Sequence, residues 1–366
     1  MPPEITEFSH PDSIWTWKSN SRSRKASVWI PYFEAVEKVK GTTYKIRFNG
    51  GPVDIDLKTV DCLLIYGAAG SLPVDFLEAL NTHGITLLIH RRNIPTPMVL
   101  HPLNTTDQAD VLSRQIMFRQ DTRRRVYVAK TLIAARLHSM AWLAPIASVR
   151  FAQIRAATSL EKVRQIEAEQ TKNYWQHYYY RAGIKDIGRR SSHPINAALD
   201  AGSFFLFGVL MRWVIFHRMS PAHGFMHEPT NYQSLVFDLM EPYRVTFERA
   251  ALEAWLEDST PESLTARALS ILKGSLSDDA FVGAARATAT RKSLLHGVVL
   301  ALRAYLLGEM PRLVIPMEGG STTGRPPKLS YMVPGARKRP PQRRAPTESA
   351  PAVITGVKSL EENAAF

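Results

Sequence analysis

The chain has 366 residues, 45% of them hydrophobic, and its 46 Lys/Arg against 33 Asp/Glu give a formal net charge of +13. That length suffices for two domains with a sizeable core, and that balance suits a protein that meets a polyanion, nucleic acid above all, although solubility alone is another reading. A single cysteine, Cys62, excludes an internal disulfide framework and a thiolate zinc cluster and fits a reducing compartment.

The opening stretch, "MPPEITEFSHPDSIW", has no charged start followed by an apolar run. No signal peptide is expected, which points to a cytoplasmic protein. From Thr43 to Leu100 the pattern is strand-like. "TYKIRFN" and "VDIDL" alternate apolar and polar residues, while "VDCLLIYG" and "GITLLIH" are short apolar runs between turn residues. "PVDFLEALNTHG" between them predicts one helix stopped by Gly84. Residues 1–104 therefore read as a small β-rich domain with a mixed sheet, its first forty residues unassigned.

From Asp107 the chain turns helical, and 105–318 reads as an all-α domain. The class is α+β, a small β-rich domain followed by a larger helical one. "DQADVLSRQIMFRQDTRRRVYVAKTLIAARLHSMAWL" has few breakers and is strongly basic, with Arg114, Arg119, Arg123, Arg124, Arg125, Lys130 and Arg136. "TSLEKVRQIEAEQTKNYWQHYYYR" starts at a capping box, Thr158-x-x-Glu161. A third helix is predicted over Ile195 to Phe216. Its apolar heart, Ala201 to Met211, is flanked by Asp200 and Arg212 and is too short to span a bilayer, so it is predicted to be buried and no membrane association is expected. A fourth helix starts at Ser234, and 262–310 supplies two more, ending near Gly308. Residues 321–366 hold eight Lys/Arg and three Glu, a charge of +5 that leaves +8 on the body. With its Pro and Gly content, 319–366 reads as a disordered basic tail.

The chemistry-bearing stretch is "GFMHEPTNYQSLVFDLMEPYR", Gly224 to Arg244. Asp238 and Glu241 lie three apart, which on a helix places both on one face. Such a pair is commonly a solvated face, and His227 alone is commonly an ordinary residue. Glu167 adds weight. Its neighbour Ile166 continues the apolar stripe of Leu160 and Val163, so Glu167 falls near the inner edge, where an unpaired carboxylate is expensive, and Glu169 is the outward-facing rival. One imidazole with two or three carboxylates suits Mg²⁺ or Mn²⁺. His227-Glu228 lacks the second histidine of a zinc protease helix, and neither a P-loop nor a dinucleotide-binding glycine pattern occurs.

Together these segments resemble the CRISPR-associated integrases of spacer acquisition, the CRISPR-associated protein one family. The resemblance is carried by Glu167-Ala168 followed by Lys172, Tyr174 and Trp175, by "HPINAALDAGSFFLF", "GFMHE" and "SLVFDLMEPYR", and by Arg291-Lys292 with "AYLLGE". His193 stands where that family commonly has Asp, and Ala168 where Gly is commoner. The resemblance implies a metal-dependent DNA endonuclease and integrase that inserts short duplexes into a CRISPR array by 3′-hydroxyl transesterification. It implies Glu167, His227 and Glu241 as catalytic metal ligands, with Asp238 as a further ligand or a supporting acid. Arg114, Arg123, Arg124, Lys130, Arg244, Arg291 and Lys292 become candidates for phosphate contacts, and the aromatics Tyr174 to Tyr180 are read mainly as core. Implied partners are double-stranded DNA (incoming spacer and repeat), a second copy of the chain joined through the β domain, and a smaller ferredoxin-like adaptation subunit. A transposon-type integrase on the same fold and a non-catalytic basic DNA-binding protein are the alternatives.

Overall fold

The computed structural model describes residues 15–18, 26–31, 33–48, 51–66, 70–90, 98–100, 102, 110–228, 232–319, 333 and 336. The N-terminal part builds two sheets. Strands β1 (Trp15–Lys18), β2 (Ala26–Pro31), β6 (Val60–Tyr66), β7 (Thr86–His90) and β8 (Met98–Leu100) form one, in the order β1-β2-β6-β7-β8. Its centre, β2-β6-β7, is parallel and its two edges are antiparallel, the expected mixed sheet. Strands β3 (Phe33–Lys40), β4 (Thr43–Phe48) and β5 (Gly51–Asp56) form a separate antiparallel meander. The crossover between β6 and β7 is helix α1 (Val74–Thr82), and Gly84 at φ +68° ends it in the left-handed conformation expected of a stop glycine. Phe76 and Leu80 of α1 are buried against the sheet. Strands β1 to β3 fall in the stretch that pattern alone left unassigned.

The helical part begins with α2 (Val111–Gln120) and α3 (Thr122–Met140). The predicted long basic helix is thus two. Asp121 breaks it, because its carboxylate accepts from the Arg124 N–H as the cap of α3. Next come α4 (Ser148–Ala156) and α5 (Leu160–Arg181). The cap of α5 is Ser159, whose hydroxyl accepts from Lys162 N–H, one residue beyond the predicted Thr158 box. Helix α6 (Pro194–Phe216) is the axis of the domain and packs against α7 (Ser234–Met240), α8 (Arg244–Glu257), α9 (Pro261–Ser277) and α10 (Arg291–Leu306), and also touches β7. At 23 residues α6 is longer than its apolar run and could cross a membrane by length and composition, but 72% of its most apolar window lies buried inside the protein, as in a core helix. Between α9 and α10 a hairpin, β9 (Asp279–Val282) with β10 (Ala287–Thr290), interrupts the helices.

The expected tail falls mostly outside the described residues. Its described part is ordered onto the body: Gly319 bridges to Val282 of the hairpin, and Val333 is wholly buried in the helical core. Where α6 meets α8, Gly202 lets the helices approach closely. A Cβ there would lie 2.6 Å from Cβ of Phe247. Gly202→Ala gains helix propensity yet meets that contact, so the variant should unfold about 1–3 kcal/mol more easily in denaturant. An unchanged midpoint would show that α6 and α8 can part without penalty.

Candidate active site

His227 sits on the irregular segment from Ser220 to Glu228, which follows α6. Such a segment makes no repeating backbone hydrogen bonds, so side chains must satisfy it. On the donor side Asp238 of α7 does most of this. Its fully buried carboxylate accepts from the backbone N–H groups of Phe225, Met226 (2.9 Å) and His227 (3.1 Å). The same carboxylate takes the His227 ring at Nδ1, 2.6 Å away. That bond orients the imidazole and leaves Nε2 without a hydrogen-bond partner among the described residues, the arrangement by which a carboxylate prepares a histidine ligand. Gly224 is required here. A Cβ would stand 2.8 Å from Asp238 Oδ2 and 2.9 Å from the Ser234 carbonyl.

On the acceptor side the segment is pinned by helices far away in sequence. Buried Gln115 of α2 donates to the carbonyls of Ser220 (2.9 Å) and His223 (2.8 Å) and accepts from Ser220 N–H. Arg119, one turn on, donates to the carbonyls of Gly224 (2.9 Å) and Glu228 (2.7 Å). Arg125 of α3 donates to Phe225 O at 2.9 Å, and Arg164 of α5 to Met226 O. Both also reach the Glu228 carboxylate, Arg125 at Oε1 and Arg164 at Oε2, each at 3.1 Å.

Glu167 of α5 points to the inner side of its helix, whereas Glu169 is exposed and paired with Arg150 at 2.9 Å. The Glu167 carboxylate accepts from Thr171 Oγ1 at 2.7 Å. Burial, and then the negative charge of Glu241, raise its pKa above the ordinary carboxylate value. Glu241 opens the one-turn 3-10 helix between α7 and α8 and is itself buried. Burial works against its charge, but Arg244, at 3.1 Å, and then Arg136 and His227 hold its pKa below normal. For His227, too, burial opposes charge, and the bond and charge of Asp238, with Glu241 and Glu167 behind them, raise its pKa. The structure therefore brings Glu167, His227 and Glu241 within electrostatic reach of one another, with Asp238 behind the imidazole rather than beside the carboxylates.

Under these groups lies a buried ionic layer that pattern reading did not assign. Arg136, 1% exposed, makes a two-bond fork with wholly buried Glu248 at 3.0 and 2.7 Å, and its Nε lies 3.7 Å from Glu241 Oε2. Tyr174 donates to Glu248 at 2.7 Å, and Tyr178 to the Glu248 backbone carbonyl at 2.8 Å. Arg244 closes the layer 3.5 Å from Glu248. Arg136, read in sequence with the basic helix face, is thus a core residue. One signal could have shown it: it falls within the apolar run of Leu132, Ile133 and Leu137.

The other predicted phosphate contacts divide. Arg114, Arg123 and Arg124 are exposed. Lys130 is held by the carbonyls of Arg155 and Ala157, Arg244 by the layer just described, and Arg291 by Glu318 and Asp278. Lys292 is half-buried at the start of α10, and desolvation lowers its pKa. Tyr174, Tyr178 and Tyr179 are core as expected, and Tyr180 is exposed.

As a metal-binding set the residues fit in kind. They offer one imidazole nitrogen and two carboxylates, and Glu241 Oε2 is a buried oxygen without a hydrogen-bond partner. Among the described residues no group of three His, Cys, Asp or Glu side chains is drawn together as a closed ion cage, since Glu241 faces Arg244 and Arg136 and Glu167 faces Thr171.

A family model described as CRISPR associated protein Cas1 matches residues 32–267. The chain belongs to the Cas1 family. A Cas1 endonuclease of Thermus thermophilus is 29% identical over 96 residues, 24% of this chain and 29% of its own length. One from Saccharolobus solfataricus is 27% identical over 203 residues, 48% of this chain and 55% of its own. The chain thus spans about half or less of these curated relatives. Among solved structures, a Cas1 protein of Thermotoga maritima aligns with TM-score 0.64 and 16% identity, over 80% of this chain and 99% of that one. A casposase bound to integration product aligns at 0.55 and 16%, over 81% and 99%. A Cas6-RT-Cas1–Cas2 complex aligns at 0.63 and 14%, over 79% and 36%. At these identities the structures establish a shared Cas1 fold.

Removing the guanidinium beneath the candidate site should be costly. Arg136→Met leaves Glu248 buried without its closest counter-charge and Glu241 with one of its two guanidiniums gone, and urea unfolding should show a loss of about 3–5 kcal/mol. A loss under about 1 kcal/mol would mean that the layer does not hold the fold.

Proposed function

We propose that this Cas1-family chain is a divalent-metal-dependent DNA endonuclease and integrase that joins short duplexes into a CRISPR array. The observation that carries this reading is that Glu167, His227 and Glu241, from three separate segments, lie within electrostatic reach of one another in a basic protein of the Cas1 fold. Those three residues would hold Mg²⁺ or Mn²⁺, and when bound the ion supplies positive charge at the scissile phosphate and at the attacking and leaving oxygens.

The chain's own groups have distinct parts. Asp238 keeps the proton of His227 on Nδ1 and presents Nε2. Arg244 and Arg136 keep Glu241 ionised. Thr171 restrains the Glu167 carboxylate. In the reaction a DNA 3′-hydroxyl oxygen forms a bond to phosphorus while the bond to the departing 3′-oxygen breaks. One phosphodiester replaces another without a covalent enzyme intermediate. Water in place of the hydroxyl gives strand cleavage. Arg114, Arg123 and Arg124, exposed on α2 and at the start of α3, are the cations in this set best placed to meet phosphates.

The proposed assembly is a dimer working with a small ferredoxin-like Cas2-type subunit in the cytoplasm. The Cas1–Cas2 complex among the structural neighbours supports it. A second reading, a transposon integrase on the same fold, is favoured by the casposase neighbour. The two differ in target: a CRISPR repeat against transposon ends.

Strand transfer of a fluorescent duplex into a repeat-bearing plasmid should require Mn²⁺ or Mg²⁺ and stop with EDTA. Glu167→Ala should lower the rate by at least about a hundredfold while unfolding at a wild-type midpoint. Metal-independent transfer, or full activity in that variant, would sink the reading. Preference for transposon ends over repeats would move the protein to the second reading.

A further inference from the structure

Glu228, next in sequence to the imidazole, has no part in the function proposed above. Its side chain is 53% exposed, yet both carboxylate oxygens are held, Oε1 by Arg125 of α3 and Oε2 by Arg164 of α5. Each of these guanidiniums works in two directions. Through Nε, Arg125 donates to the carbonyl of Phe225 and Arg164 to that of Met226, and through a terminal nitrogen each reaches Glu228. Two like charges from different helices are thus drawn to one place by a single carboxylate, and in that posture they grip the two carbonyls just before His227. Arg119 holds the backbone carbonyl of Glu228 itself from α2.

We propose that Glu228 is a positioning residue for His227: by bridging Arg125 and Arg164 it fixes the Phe225–His227 backbone where the imidazole meets Asp238, and so sets the place of the free Nε2. The inference rests on the metal-site reading of His227. Without the carboxylate, the two guanidiniums have no shared counter-charge and swing apart toward water, and the Phe225 and Met226 carbonyls lose directed donors. The N–H groups of the same residues then hold Asp238 less firmly. Ion pairs that reach solvent in this way contribute little to folding. Groups that orient a ligand from behind change metal affinity on the order of 10–100-fold. The role therefore separates from plain structural support by its readouts.

The test uses the full chain with Glu228→Gln, which keeps the shape and removes the charge. Glu37→Gln, which breaks an exposed pair with Arg47 in the β domain, is the control. Mn²⁺ binding by titration calorimetry, without DNA, should weaken about tenfold in Glu228→Gln. The amides of Phe225, Met226 and His227 should exchange hydrogen faster, with a thermal midpoint within about 3 °C of the parent. The control should match the parent in each. Unchanged Mn²⁺ affinity overturns the inference, whether or not exchange quickens. If the parent chain itself takes up no Mn²⁺, the metal-site reading fails instead, and exchange alone then decides whether Glu228 holds the segment, with unchanged exchange overturning that too.

Discussion

The site depends on how an irregular backbone is satisfied. Ser220 to Glu228 runs through partly buried space with no helix or strand of its own, and an unpaired backbone group there costs about 1–3 kcal/mol. Asp238 and Ser234 take the N–H groups from one side, while Gln115, Arg119, Arg125 and Arg164 take the carbonyls from the other. Four helices thus meet on one loop, and the loop carries the imidazole. The glycine at 224 and the anchoring of Phe225 and Met226 in the core follow from the same crowding.

A second consequence concerns charge. Asp238 and Glu241 are neighbours in sequence but live in different electrical surroundings. Asp238 is enclosed by N–H dipoles and an imidazole, Glu241 by two guanidiniums. Glu167 has a hydroxyl and a like-charged neighbour. A chain of strongly positive balance can therefore keep a cluster of acids because buried arginines neutralise it from below, leaving the outer arginines of α2 and α3 to face solvent.

Much of this was legible in the sequence, and the limits have physical causes. The division into a strand-rich part and a helical part follows from the change of apolar period near Asp107, and the glycines at 84 and 308 mark helix ends as their left-handed φ values require. The inward Glu167 and outward Glu169 follow from the stripe of Val163 and Ile166. The strands before residue 43 were not legible, since β1 is a short edge strand, β2 pairs in parallel with β6, and the pairing of β3 shifts register twice, so none leaves a clean alternation. Nor was the break at Asp121, where one side-chain cap outweighs a continuous helical pattern. The arginines were the larger gap. Arg119, Arg125 and Arg164 look like a solvated basic face, because periodicity describes where a side chain leaves its helix and not a carbonyl some hundred residues away that its long stem can reach.

The phenols of Tyr174 and Tyr178 rivet α5 to α8 through Glu248, one at its carboxylate and one at its main chain. Glu167 lies on the first of these helices and Glu241 on the turn leading into the second. The two acids are therefore mounted on a single rigid frame and cannot slide past each other. Asp238, three residues before Glu241, bonds the ring of His227 at 2.6 Å, so the imidazole is indexed to the same frame through one buried carboxylate.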